Sequence, residues 1–216
     1  MGSKKRFAAG MGFYKLFWIF FIGCFLGVVI EMIFCFVTRG GLIQSRSGLL
    51  YGPFNPVYGF GAVVLSITLI PLAGKRDLLV FLVSMIEGSA FEYLCSFVQQ
   101  QLFGTISWDY SHIPFNIGGR TCLLYGFFWG ILGLLWVKDI FPKLSLMIER
   151  IPRALGIVLT WILVVFMTAN MLISAAAVLR WSQRDAGIPA ENQMEVYLDR
   201  HYPNERMREV YPNMQL

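Results

Sequence analysis

The sequence predicts an all-α, polytopic helical membrane protein of about five transmembrane helices, and three observations carry that prediction. Hydrophobic residues make up 56% of the 216 and charged residues only 14%, whereas a typical soluble domain is about 25% charged. Mean hydropathy is +0.60, because the charges stay out of long runs of Phe, Leu, Ile and Val. Five such runs, each of the roughly 20 residues needed to cross a bilayer, leave only short loops and one tail. That arithmetic excludes a disordered chain, an ordinary soluble enzyme and a separate soluble catalytic domain.

The first run covers 13–37 and is interrupted by Glu31. A second, 57–73, follows a Pro/Gly-rich entrance at 51–61; a third, 78–98, contains Glu87 and Glu92; the fourth and fifth are 121–137 and 154–179. The basic start before the first run resembles a secretion signal. The run is too long for a signal core, however, and no small-residue cleavage site follows promptly, so a retained first span is expected. A membrane domain over 1–180 and a polar tail over 181–216 complete the division. The tail reads as a partly ordered appendage in which 191–201 forms a short amphipathic helix with Met194, Val196, Tyr197 and Leu198 as its apolar positions.

Orientation follows from the Lys/Arg content of short loops. With the N-terminus inside, one face collects Lys4, Lys5, Arg6, Lys15, Lys75, Arg76, Lys138, Lys143, Arg150 and Arg153, while the other holds only Arg39, Arg46 and Arg120. The expected location is the cell (inner, cytoplasmic) membrane, multi-pass, with a cytoplasmic N-terminus and the tail outside. The net charge of +5 is then a matter of topology, and no nucleic-acid partner is expected. Cys24, Cys35, Cys95 and Cys122 make no C-x-x-C pair, and His112 and His201 make no H-x-x-x-H pattern. Neither a metal nor a cofactor is called for.

An internal similarity is the most informative feature. Residues 46–59 (RSGLLYGPFNPVYG) and 120–133 (RTCLLYGFFWGILG) both fit R-x-x-L-L-Y-G-x-F-x-x-x-x-G, and each follows a span carrying G-x-x-x-E, at Gly27 to Glu31 and at Gly88 to Glu92. One reading is a parallel repeat of two helical hairpins plus one extra helix. The other is that a Tyr anchor and a Gly contact suit the start of any span.

Intramembrane carboxylates cost roughly 2.5–3.5 kcal/mol on insertion scales and mark functional sites by default. The expected partners of Glu31 and Glu92 are Arg46 and Arg120, each just outside a span entrance, with Glu87 nearer the midplane. Pairing would build a polar cavity at the outer end of the bundle; the alternative is two ion pairs that only fix packing. The 51–61 entrance (YGPFNPVYGFG) cannot begin as a smooth helix, since Pro53 and Pro56 lack donors, and Tyr51, Asn55 and Tyr58 supply hydrogen bonds there. The 108–120 loop (WDYSHIPFNIGGR) adds Trp108, Asp109, Tyr110 and Asn116, as either a capping element or an interfacial loop. Tyr125 repeats the Tyr51 position in the second copy. These residues form the expected substrate-binding set; no catalytic residue is assigned.

On the entrance RSGLLYGPFNPVYGFG, the WDYS stretch and FNIGGRTCLLYGFFWG, the chain resembles the "putative ABC-transporter type IV" (CmpB-like) membrane proteins, from about Glu31 through the fifth span. The resemblance implies a bacterial polytopic membrane protein provisionally called a permease. It places Tyr51, Gly52, Pro53, Asn55, Pro56, Tyr58, Gly59, Trp108, Asp109, Tyr110, Asn116 and Arg120 at family-pattern positions without assigned roles.

The leading expectation is a transporter (permease) component that binds a small polar or lipid-like substrate in an outward-facing cavity lined by Glu/Arg pairs. The chain has no G-x-x-x-x-G-K-[ST] loop, so ATP hydrolysis would need a separate ATPase subunit. Besides the lipid bilayer, that subunit and a second copy in a homodimer are the expected partners. The 141–153 loop (FPKLSLMIERIPR) is the one inner segment large enough to dock such a subunit; otherwise it is a basic segment lying on anionic lipid. A membrane-embedded enzyme acting on lipid ranks second, because no nucleophile–base spacing is present, and a non-catalytic assembly or sensory protein is the third reading.

Overall fold

The computed structural model describes residues 6–38 and 44–216; Lys4, Lys5 and Arg39, used above for orientation, lie outside the described residues. In chain order the elements are α1 (Phe13–Thr38), α2 (Pro56–Leu69) with a 3-10 turn (Ile70–Leu72), α3 (Asp77–Phe103), a hairpin of β1 (Asn116–Ile117) and β2 (Thr121–Cys122), α4 (Leu123–Leu135), one π turn (Trp136–Ile140), α5 (Phe141–Glu149), α6 (Arg153–Asp185), α7 (Gln193–His201) and α8 (Asn204–Val210). Three helices are long and apolar enough to cross a membrane: α1 over Phe13–Val37, α3 and α6. The apolar stretch Pro56–Leu72 is shorter, and α4 has 13 residues before the π turn. Length alone therefore marks three crossings among the described residues, and five goes beyond it.

The two copies of L-L-Y-G fold differently, and proline decides it. In the first copy Pro53 and Pro56 have no N–H to donate, so residues 49–55 stay irregular. Helix α2 begins only at Pro56, with Asn55 as its cap: the Asn55 side chain accepts from the Val57 N–H at 3.0 Å. In the second copy no proline intervenes and α4 starts at once from Leu123.

Helices pair as α1 with α2 and α3 with α4, in both cases by seating an aromatic ring on a glycine. The Tyr58 ring lies where a Cβ on Gly27 would be, and the Trp129 ring where one on Gly88 would be. Gly23 packs so closely on α2 that a Cβ there would stand 3.2 Å from the Gly59 Cα. Between apolar helices in lipid, such close approach is what drives association.

The bundle has two chemically distinct ends. At one, the buried Lys15 ammonium donates to the Ser145 carbonyl at 3.2 Å, to the Ser145 hydroxyl and to Glu149 at 2.7 Å, with Arg6 a further 3.6 Å from Glu149. The bond from Lys15 holds the Glu149 carboxyl below the usual carboxylate range. Three acceptors around one ammonium are what make its burial tolerable. At the other end lie residues 44–55, the β hairpin and the chain after α6.

That last segment corrects the expectation of a partly ordered appendage. Helices α7 and α8 fold back onto α6, burying Leu198, Tyr202, Met207 and Tyr211 around Trp181. Asp199 receives Arg180 through two bonds of 2.9 Å and Arg184 at 2.6 Å. Of the four apolar residues named for α7, only Leu198 is buried; Met194, Val196 and Tyr197 stay exposed. The helix is too short to bury both sides, and a single turn contact suffices to dock it.

Candidate functional site

The irregular entrance is held by α6. Asn170 accepts from the Tyr51 N–H at 3.2 Å and donates to the Tyr51 carbonyl at 2.7 Å, while Ser174, one turn on, accepts from the Leu50 N–H at 2.9 Å. Non-helical backbone at membrane depth survives only when protein satisfies it. These two side chains replace the helical bonds the prolines forbid. The Tyr51 hydroxyl reaches out to the Tyr202 hydroxyl at 2.7 Å, tying the entrance to the tail.

With the entrance fixed, Arg46 and Tyr58 converge on Glu31. The Arg46 Nη1 lies 3.6 Å from the Glu31 Oε1, the Tyr58 hydroxyl donates to the Glu31 Oε2, and Asn55 donates to the Arg46 carbonyl at 3.4 Å. Arg46 is only 9% exposed. Its Nε and Nη2 are closed to solvent and meet no acceptor among the described residues.

The second carboxylate is built differently. The hairpin turns through Gly118 and Gly119, both at positive φ (58° and 69°). Glycine suits both of these central positions of the turn, which closes with the Arg120 N–H donating to the Ile117 carbonyl at 3.1 Å; Arg120 completes the three-residue connection before Thr121 pairs with Ile117. Trp108 clamps the far side by donating to the Arg120 carbonyl at 2.9 Å. Glu92 then accepts from the Tyr110 hydroxyl and the Thr121 hydroxyl, each at 2.9 Å, and Tyr110 stacks on Tyr125 with ring centroids 4.5 Å apart.

The expected Glu92–Arg120 ion pair is not formed. The hairpin aims Arg120 along α3 away from Glu92, where it donates to Ser96 at 3.0 Å and to Gln100, with Tyr93 and Phe97 rings 5.7 and 5.6 Å from its guanidinium carbon. Thr121, the next residue, takes the place at the carboxylate. Burial first, then the neighbouring Glu92 carboxylate, raise the pKa of Tyr110 well above that of an ordinary tyrosine, and Tyr58 is near enough to add to the effect. The two Glu–Tyr clusters, Arg46–Glu31–Tyr58 and Tyr110–Glu92–Thr121, therefore lie within electrostatic reach of each other and are taken together as a polar ladder.

The remaining expected residues fall outside the ladder. Glu87 accepts from Thr68 of α2 at 2.6 and 2.7 Å. Asp109 folds onto its own loop, accepting from the Ser111 N–H and hydroxyl at 2.8 and 2.9 Å; those bonds lower its pKa. Asn116 is spent on the Ser111, Ile113 and Gly119 backbone. Sequence reasoning missed Asn170, Ser174 and Thr121. A polar residue inside an apolar run, the signal that singled out Glu31, also marks Asn170 and Ser174. Among the described residues no three His, Cys, Asp or Glu side chains gather around a point where a metal ion could sit.

A family model described as "Putative ABC-transporter type IV" matches residues 18–175, which runs from within α1 through most of α6 and takes in every residue of the ladder. No curated protein and no solved structure matches the chain.

Proposed function

The chain belongs to the "Putative ABC-transporter type IV" family, and from that premise we propose that it is the membrane-embedded permease component of a transport system of the bacterial cell membrane. Its substrate site is the polar ladder. The observation that carries this reading is a pair of buried polar clusters on apolar helices, Arg46 and Tyr58 on Glu31 of α1 and Tyr110 and Thr121 on Glu92 of α3. Two carboxylates set in apolar helices, with a buried guanidinium and two phenols gathered on them, are costly to maintain for packing alone.

The proposed path is formed by five crossings, α2 and α4 with its π turn joining the three long ones, arranged as two hairpins of like orientation plus α6. The packing supports this arrangement. Gly23 meets Gly59 on α2, and Ser84 meets Gly133 on α4. Gly23 and Ser84 each stand four residues before the glycine of G-x-x-x-E, and Gly59 and Gly133 each close the fourteen-residue pattern.

The end carrying Arg6, Lys15, Lys138 and Glu149 faces the cytoplasm in this reading, and the ladder opens outward beneath the hairpin and the tail. Energy comes from a separate ATPase subunit that docks on α5, whose Leu146 and Met147 are exposed, and the path is completed by a second copy.

The test is substrate uptake by whole cells and by reconstituted vesicles, together with identification of what co-purifies in mild detergent. Glu31→Gln is expected to lower uptake by about tenfold or more, a barrier change of at least ~1.4 kcal/mol, while the fold persists. Unchanged uptake in that variant, or a preparation that never retains an ATPase, rejects the reading.

A further inference from the structure

One guanidinium in the ladder stands apart from every other donor. Four buried side-chain polar atoms lack a partner among the described residues, and two of them, Nε and Nη2, belong to Arg46. Glu31 engages only Nη1, at 3.6 Å. The uncommitted edge carries parallel N–H bonds in the fork that binds oxyanions in bidentate fashion. Leaving charged donors buried without acceptors costs more than a lost neutral hydrogen bond, and tyrosine and asparagine donors all around this one are satisfied.

We propose that the Nε–Nη2 edge of Arg46 is the recognition element for a phosphate group carried by a lipid head group. Two observations choose the ligand. Glu31 already supplies one carboxylate charge through Nη1, and a phosphomonoester, with a charge of about −1.5 to −2, binds the free Nε–Nη2 edge more strongly than a second carboxylate would. The flank of α1 beside Glu31 is open to acyl chains rather than to protein, with Ile30, Ile33 and Val37 at 65%, 60% and 74% exposure. A head group therefore arrives laterally with its chains still in the bilayer. Both nitrogens are closed to solvent, so the side chains over them must part as it enters. This assignment deepens the transport reading by naming the substrate class, and it rests on that reading only for what happens after binding.

The experiment measures binding, not transport. Purified protein in neutral detergent is titrated with dioctanoyl phosphatidic acid and with dioctanoylglycerol, following tryptophan fluorescence, for the natural chain and for Arg46→Lys, Arg46→Gln and Arg120→Gln. The natural chain and Arg120→Gln are expected to bind phosphatidic acid and to ignore the uncharged glyceride. Arg46→Gln is expected to lose at least tenfold. Arg46→Lys keeps a charge for Glu31, and with it the fold, but has no fork; it is expected to lose about fivefold with an unchanged melting temperature.

Competition by inorganic phosphate would identify a free oxyanion as the source of the group, and its absence identifies the lipid. Equal affinity in Arg46→Lys, or equal binding of the glyceride, overturns the assignment. Binding without uptake would sink the transport reading alone; uptake with Arg46→Lys binding intact would sink this one alone.

Discussion

Tyr58 of α2 donates its hydroxyl proton to Glu31 of α1, and its ring reaches that carboxylate by lying across Gly27, one helical turn earlier. Packing and polarity are thereby the same contact. The small residue that lets the helices close is also what aims the phenol. A second glycine–aromatic pair, Gly88 with Trp129, joins α3 and α4, and Glu92 again lies one turn beyond the glycine.

Gly27→Ala puts a methyl group into the Tyr58 ring. Neither rigid helix can give way cheaply, so overpacking of about 1–3 kcal/mol is expected, seen as a lower melting temperature in detergent. The displaced phenol also leaves Glu31. Tyr58→Phe in the Gly27→Ala background should therefore cost almost nothing further, whereas Tyr58→Phe alone costs about 1 kcal/mol. Additive losses would show that the ring position and the hydrogen bond are independent.

Asn170→Leu preserves volume and removes both bonds to the Tyr51 backbone. An unsatisfied buried donor or acceptor costs about 1–3 kcal/mol, so the entrance is expected to loosen and proteolysis near 50–55 to accelerate. Asn170→Asp retains the acceptor for the Tyr51 N–H and loses only the donor to its carbonyl. Its defect should fall between that of the natural chain and that of Asn170→Leu. A silent Asn170→Leu would mean that the prolines and the Ser174 bond to Leu50 hold the entrance without Asn170.

The helical class, the apolar runs and the pairing of Glu31 with Arg46 were legible because a charge inside an apolar run is a one-dimensional signal. The positions of Asn170 and Ser174 carried the same signal more faintly, since an amide and a hydroxyl are cheap enough in lipid to pass as incidental. The fate of Arg120 was not legible. Its spacing from Glu92 matches that of a partner, and only the Gly118–Gly119 turn, a three-dimensional fact about where the hairpin points, sends it to Ser96 and Gln100 instead. The docked tail was hidden for a related reason: its buried residues, Leu198, Tyr202, Met207 and Tyr211, sit in two pairs at the ends of two short helices, each pair spanning one turn.

The unequal treatment of the two arginines can be measured by double-mutant cycles. Glu31 and Arg46 touch, so Glu31→Gln with Arg46→Gln should show a coupling of about 0.5–3 kcal/mol. Glu92→Gln with Arg120→Gln should add within about 0.5 kcal/mol, as independent sites do, because Thr121 and Tyr110 hold that carboxylate. Strong coupling in the second cycle would restore the ion pair that the geometry denies.

The tail contact makes a prediction about acid. Hydrogen bonds from Arg180, then those from Arg184, hold the Asp199 carboxyl below the ordinary aspartate value of 3.8, against the opposing effect of burial. A carboxyl lowered in the native state stabilises it fully above its unfolded value and ceases to do so as pH falls through the native one. Docking of α7 and α8 should therefore be unaffected from neutrality down to the ordinary aspartate value and weaken only below it.

Asp199→Asn removes the charge at every pH and leaves Arg180, whose side chain is 3% exposed, without a counterion. Breaking a buried pair costs about 3–5 kcal/mol; the 31% exposure of the Asp199 side chain discounts this to about 2–3 kcal/mol. Melting curves of the natural chain and of Asp199→Asn, recorded against pH, should run parallel and separated at neutrality. They should converge in acid as the natural chain loses the same charge. A gap that persists at the lowest pH, or none at neutrality, would show that apolar packing around Trp181 docks the tail without help from the ion pair.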